Sequence, residues 1–102
     1  MRIGWEQEFD AIARHGGEEE DAHFKVVVEL EGTERDMMTD VDPIWEELEA
    51  LEGAKLWEKG MRSTAEGLAL HVRDVVRRHL EGADDALTRI RVVQDGVFWV
   101  NL

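Results

Sequence analysis

Cysteine is absent from the 102 residues of this chain. The chain therefore has no disulfide, no thiolate metal site and no cysteine nucleophile. Lysine is scarce, since arginine outnumbers it nine to three, and acidic residues exceed basic ones 24 to 12. The net charge of −12 repels phosphate backbones and anionic lipid, which argues against nucleic-acid and membrane partners. This acidic bias fits either adaptation to high salt or ordinary variation of a protein surface.

Long hydrophobic runs are missing as well. No apolar stretch approaches the roughly 20 residues that span a bilayer, and the N-terminus lacks the apolar core of a signal peptide. We therefore expect a cytoplasmic protein. Hydrophobic residues make up 43% of the chain, enough for one core, and the length predicts a single domain over residues 1–102.

Alternating apolar residues predict four strands. The pattern of period two covers residues 2–9 and 22–31. Between them, Gly16-Gly17 and the acidic residues 18–21 predict a turn and a solvated loop. Two further β-branched runs flank Asp95-Gly96, a dipeptide suited to a tight hairpin turn that needs positive φ.

Two helices are predicted between these strand pairs. The first begins with Asp42 as N-cap and Pro43 at the first helical position, and ends at Gly53. The second begins at Ser63, where Ser63 and Glu66 fit a capping box, and ends at Gly82. The order ββααββ predicts an α+β domain: a four-stranded antiparallel sheet with two helices on one face.

The same order, with particular short segments in it, resembles the 6-pyruvoyl- and 6-carboxy-tetrahydropterin synthase family. Six segments carry the resemblance: residues 9–13 (Phe-Asp-Ala-Ile-Ala), 21–26 (Asp-Ala-His-Phe-Lys-Val), 38–41 (Met-Thr-Asp-Val), 51–56 (Leu-Glu-Gly-Ala-Lys-Leu), 63–69 (Ser-Thr-Ala-Glu-Gly-Leu-Ala) and 89–95 (Arg-Ile-Arg-Val-Val-Gln-Asp). They resemble, in that order, the family's Phe-x-Ala-x-His, His-Gly-His-Asn-Tyr, Asp-Phe, Leu-Asp-His-x-Asn-Leu, Pro-Thr-x-Glu-Asn-Leu and Val-x-Glu-Thr motifs. The resemblance implies the tunnelling fold and assembly into a trimer or a hexamer.

The resemblance also implies a zinc-dependent lyase, with three histidines holding zinc, a cysteine base, an Asp-His relay and two glutamates on the pterin ring. Most of these residues differ here. The zinc positions fall on Ala13, Asp21 and His23, and the cysteine position falls on Gly17. The relay pair becomes Glu52-Gly53. Orthodox synthase chemistry is therefore not expected, and the sequence leaves open whether the chain is an enzyme.

Several remaining residues are candidates for a site. His23, with His15 and Asp21, could hold a zinc ion, because Asp21 and His23 share one face of a strand and His15 lies just past the position of the missing first histidine. The alternative is a solvated surface histidine. Glu52 and His23 are candidate acid/base residues.

Two further residues are candidates for ring binding. Glu66 corresponds to a glutamate that binds the aminopyrimidine edge, although the capping box alone would also explain it. Gln94 replaces the second glutamate and can still pair with a heterocycle. His71 is predicted to face solvent, without a role.

Three functions follow from this sequence. The first is a divergent pterin synthase relative that binds a pterin or purine-like ring without orthodox synthase activity. The second is a lyase or aldolase with a remodelled site acting on a pterin-like substrate. The third is a purely structural oligomer, since the last strand, residues 98–102, is apolar on both faces and has no charged residue to block edge pairing.

Overall fold

The computed structural model describes residues 2–32, 41–80 and 86–102, with the backbone alone for Ala86. The elements, in chain order, are β1 (Arg2–His15), β2 (Glu18–Glu31), α1 (Asp42–Glu49), a 3-10 helix (Leu56–Lys59), α2 (Ala65–Leu80), β3 (Ala86–Gln94) and β4 (Phe98–Asn101). None of the helices in these ranges is long and apolar enough to cross a membrane. Most of the predicted segment 38–41 and the predicted helix end at Gly82 lie outside the described residues.

The hairpin of β1 and β2 is longer than the apolar pattern predicted. All 14 residues of each strand pair, from Arg2 with Glu31 to His15 with Glu18. Gly16 and Gly17 form the two-residue turn with φ of 57° and 86°, which glycine adopts without strain. The prediction of a loop at residues 18–21 is therefore wrong, since they begin β2 with exposed side chains. Backbone pairing to β1 places them in the sheet although they bury nothing.

One face of the sheet is buried and the other is open. The strands lie in the order β1-β2-β3-β4, and all three neighbouring pairs are antiparallel. Alternate residues of β2 are buried, as the period-two pattern predicted. The core that they form with β1, β3 and the helices includes Phe9, Phe24, Val26, Leu48, Leu68, Val72 and Ile90.

Both α-helices begin at residues other than the predicted caps. The N-cap of α1 is Val41, whose carbonyl accepts the Trp45 N–H at 2.8 Å, so Asp42 lies within the first turn. The hydroxyl of Thr64 accepts the Gly67 N–H at 3.0 Å, which makes Thr64 the cap of α2. The predicted capping box is therefore wrong, because the residue three positions after the true cap is a glycine.

The predicted fold class needs a correction. The α+β class, the antiparallel four-stranded sheet and the order ββααββ agree with the sequence pattern. However, the 3-10 helix adds a third helical segment, and Lys55 forms a parallel bridge with Ile12 at the edge of β1. The predicted tunnelling fold, with two helices over a wholly antiparallel sheet, included neither feature, and that designation is wrong as stated. The chain is a small α+β protein with one four-stranded antiparallel sheet.

Candidate functional site

His23 lies on the open face of the sheet, directly opposite Asp10. Its Nδ1 is 2.9 Å from Asp10 Oδ1, and its Nε2 is 3.6 Å from Glu8 Oε1. We call these three residues, Glu8, Asp10 and His23, the His23 cluster. Asp95 fixes the backbone: the His23 N–H donates to Asp95 Oδ1 at 2.9 Å, and the Asp95 N–H donates to the His23 carbonyl at 2.7 Å. Strand pairing and the β3–β4 turn thus hold one imidazole between carboxylates.

The electrostatics of the cluster favour the protonated ring. The pKa of His23 is raised, chiefly because Asp10 hydrogen-bonds to the ring; Glu8 acts in the same direction, while burial opposes it. A metal ion requires a neutral imidazole with a free lone pair. The cluster is therefore suited to donate a proton or to pair the two strands.

The Glu52 side chain contacts the backbone of β1 at Asp10, the partner of His23. Its Oε2 accepts the Asp10 N–H at 2.8 Å, and the Gly53 N–H donates to the Asp10 carbonyl at 2.7 Å. These bonds satisfy backbone groups at the outer edge of β1. The structure thus brings Glu52 and His23 to one residue, Asp10, but gives Glu52 a structural task there.

The three predicted metal ligands do not lie on one side of the sheet. Asp21 and His23 are two residues apart on β2, both exposed on the open face. His15 has the parity of the buried residues of β1 and so lies on the opposite side, where its Nε2 is 4.0 Å from Glu20 Oε1. Side chains on opposite faces cannot surround one ion.

The zinc alignment with the pterin synthases conflicts with the register in the same way. Ala13 is fully buried and pairs with Glu20, so the neighbours on its side of the sheet come from Glu20 and Ala22. The predicted alignment used Asp21 and His23, and a shift of one residue moves every side chain to the other face. Within the described ranges, no group of three or more histidines, aspartates and glutamates is placed to hold a metal. The zinc implied by the resemblance does not fit these residues.

Glu66 lies in the first turn of α2, on the wall of an open groove of about 250 Å³. The groove is lined by Gly60, Met61, Arg62, Glu66, Gly67, Leu70, His71 and Asp74. Because Thr64 caps the helix, the Glu66 carboxylate is not used in a capping box. Among the described residues it has no hydrogen-bond or ion-pair partner. It is an exposed acceptor beside a cavity.

His71 lies one helical turn further along the same groove. The prediction that it faces solvent is wrong: it is half-buried, and the pKa of its ring is lowered mainly by that burial. A neutral imidazole offers one donor and one acceptor. The helical period could have indicated this neighbour, since His71 follows Gly67 by four positions.

Gln94 lies away from this groove. It ends β3, where it pairs with Phe24 on one side and Phe98 on the other. It is part-buried and does not line the groove beside Glu66. A single chain thus does not bring the two predicted ring-binding residues to one cavity.

Comparison with known proteins identifies no family for this chain. Neither a scan of protein-family models nor a search of curated proteins found a match. The resemblance to pterin synthases thus stays a prediction from six short segments. The function has to be argued from the residues of the chain itself.

Proposed function

We propose that this protein is a divergent relative of the 6-pyruvoyl-tetrahydropterin synthases that binds a pterin or purine-like ring without orthodox synthase activity. The observation that carries this proposal is the unpaired carboxylate of Glu66 on the wall of its groove. A helix cap that would have explained this glutamate is provided by Thr64 instead.

The groove has the chemistry that a heterocycle with adjacent N–H donors requires. A carboxylate accepts two parallel N–H bonds, as it does from an arginine fork. Met61 and Leu70 supply apolar surface for the ring face, and the neutral ring of His71 supplies a further donor and acceptor. The cavity of about 250 Å³ is just below the roughly 300–1,000 Å³ of most ligand pockets, which favours a small ring system.

The same geometry argues against the family's reaction at this groove. The chain has no cysteine base, and its residues do not form the three-histidine zinc site. The His23 cluster supplies a proton donor, but none of its three members lines the groove. A bound ring would therefore have no acid from this cluster within the same chain.

An enzyme with a remodelled site is the second candidate. The observation in its favour is the imidazole of His23, held by Asp10 at 2.9 Å as a proton donor. A lyase or aldolase acting on a pterin-like substrate would need such an acid. Turnover of a dihydroneopterin derivative that is lost in His23→Asn would establish this activity; no turnover at any pH would exclude it.

Self-association forms part of the proposal. Phe98 and Trp99 on the edge strand β4 are 66% and 59% exposed. A trimer or hexamer would cover this edge and would allow Gln94 of one copy to approach Glu66 of another. A purely structural oligomer, with no ring ligand, is the third candidate. We retain a cytoplasmic location as an expectation.

Ring binding is tested by calorimetry and thermal shift with neopterin, biopterin and guanine. We expect saturable binding to the unmodified chain and at least tenfold weaker binding to Glu66→Gln, which loses about 1.5–3 kcal/mol of charge-assisted hydrogen bonding. The matched control is Glu46→Gln, which removes an equal charge from an exposed position on α1. Equal affinities of the two variants, or no binding of any ring, would refute the proposal and favour the structural oligomer.

A further inference from the structure

A second cavity lies between α2 and β3, away from the Glu66 groove. It measures about 250 Å³ and is lined by Arg73, Arg77, Leu87, Thr88, Arg89, Ile90 and Leu102. Arg73 and Arg77 are four positions apart on α2, so their side chains lie on one face of the helix. Arg73 and Arg77 thus place two cations at one small cavity. The Arg89 guanidinium pairs with Glu29 on the open face of the sheet and does not add a third. None of the lining residues in the described part of the chain has an acidic side chain.

This composition is unusual for a chain with a net charge of −12. Some arginines of the described ranges have carboxylate partners: Arg78 is 2.8 Å from Glu47, and Arg89 itself is 3.5 Å from Glu29. Arg73 and Arg77 have neither a carboxylate nor an aromatic ring as a partner among the described residues. Their charges are therefore uncompensated within the cavity.

The guanidinium of Arg73 also favours a ligand with hydrogen-bond acceptors. Its Nε is buried and has no hydrogen-bond partner within the described residues. A buried donor without a partner costs free energy, and a charged donor costs more than a neutral one. A ligand that accepts this N–H would remove that cost.

We propose that this cavity binds a small phosphate-type oxyanion, with Arg73 and Arg77 as its ligands. The Nε–H and one Nη–H of an arginine form a planar fork that matches two oxygens of a phosphate. Arg73, whose Nε has no partner among the described residues, lines the cavity, and Arg77 adds a second cation from the next helical turn. The cavity, at about 250 Å³, has room for a phosphate with a small organic substituent.

The test uses the full chain at fixed ionic strength, with inorganic phosphate as the probe. We expect saturable binding by calorimetry and a shift of the Arg73 Nε–H signal in 1H–15N NMR spectra. Arg73→Gln should weaken phosphate binding about tenfold or more, as the loss of a charge-assisted hydrogen bond predicts. Arg77→Gln, which changes an exposed residue, tests the same site if Arg73→Gln does not fold.

The matched control is Arg78→Gln, which removes the same charge from the same helical turn outside the cavity. It should leave phosphate affinity within about twofold of the unmodified chain, a difference well below 1 kcal/mol. Equal losses in Arg77→Gln and Arg78→Gln would show a diffuse charge effect and overturn the proposal, as would the absence of saturable binding. Tighter binding of glycerol 3-phosphate than of inorganic phosphate would assign the site to a phosphate ester, and the reverse order to free phosphate. Glu66→Gln should not alter phosphate affinity, so this site and the ring-binding groove can fail independently.

Discussion

Asp10 and His23 occupy opposed positions on β1 and β2, with Asp10 Oδ1 and His23 Nδ1 2.9 Å apart. The two residues are 13 positions apart in the sequence, so the pair exists because the hairpin has this register. The pair places a titratable imidazole on the open face of the sheet, where Glu8 also lies close to the ring.

We expect His23 to titrate above the usual histidine value of 6.5, and His71 below it. The hydrogen bond with Asp10 raises the pKa of His23, whereas burial lowers that of His71. Because the folded-state pKa of His23 exceeds the unfolded value, its contribution to stability is complete below 6.5. That contribution is lost as pH rises through the folded-state pKa.

NMR titration of both imidazole rings measures this directly. Asp10→Asn should lower the pKa of His23 and leave that of His71 unchanged. A pKa of His23 below that of His71 would contradict the contact between His23 and Asp10.

Glu47 joins the two helices, since its carboxylate lies 2.9 Å from His79 Nε2 and 2.8 Å from Arg78 Nη2. The hydrogen bond from His79, followed by that from Arg78, lowers the pKa of Glu47. Its contribution to stability is therefore present above the unfolded value of 4.5 and is lost as pH falls through the folded-state pKa. Because the groups are partly exposed, Glu47→Gln should lower the free energy of unfolding by about 1 kcal/mol at neutral pH.

Urea unfolding of Glu47→Gln at neutral and acidic pH tests this link between the helices. The difference from the unmodified chain should shrink in acid. Glu46→Gln, exposed on the same helix, serves as the control and should change stability little at either pH. A difference that persists unchanged in acid would show that charge is not the cause.

The capping of α2 predicts a contrast between two neighbouring residues. Thr64→Ala should destabilise the protein by about 1 kcal/mol, because it leaves the Gly67 N–H without its acceptor. Ser63→Ala removes a hydroxyl that does not cap the helix and should cost less. Thermal or chemical unfolding compares the stabilities of the two variants. A larger loss of stability for Ser63→Ala would support the capping box predicted from the sequence.

At Gly67, substitution by alanine should change stability in the direction opposite to the one that helix propensity predicts. Alanine normally stabilises a helix over glycine by roughly 0.5–1 kcal/mol. Here a Cβ would lie 2.4 Å from the carbonyl oxygen of Arg62, so the backbone before α2 would have to move. Gly67→Ala should therefore destabilise the fold by about 1–3 kcal/mol. Glu66→Ala, at the exposed neighbouring position, is the control, and stabilisation by Gly67→Ala would show that this close approach does not exist.

The edge strand β4 predicts the assembly state. The opposite edge, on β1, is partly covered, because Ile12 N–H donates to the Ala54 carbonyl at 2.8 Å. We expect light scattering to show a trimer or hexamer, and Trp99→Lys to reduce the assembled fraction, since an edge lysine opposes strand addition. Trp45→Lys, which changes an exposed aromatic residue on α1, should not. A monomer at micromolar concentration before any substitution would contradict the expectation.

Local patterns in the sequence predicted much of the fold. The alternation in β2 identified its buried face, and the positive φ of Asp95 and Gly96 agrees with the predicted turn. Residues 18–21 were missed as strand because they bury nothing, and strand formation there depends on backbone bonds to β1. Helix starts were displaced by one residue. In α2, Ser63 and Thr64 are both capable of capping, and the structure uses Thr64. In α1, the N-cap is Val41, which forms no side-chain cap.

The candidate sites depend more heavily on tertiary structure. Glu52 and Glu66 look equally available in the sequence, yet Glu52 accepts a backbone N–H of β1 while Glu66 faces a groove. In the sequence, His15 and His23 were candidate ligands of one metal ion, but the strand register places them on opposite faces of the sheet.

By itself, the sequence determined the order of the elements, the acidic charge and the exclusion of cysteine chemistry. The physical reason is that composition and periodicity depend on residue types and near neighbours alone. Which carboxylate is free, which histidine has a raised pKa and which arginines line a cavity were decided by the tertiary structure. Those properties depend on contacts between distant residues, and a register shift of one position reverses them.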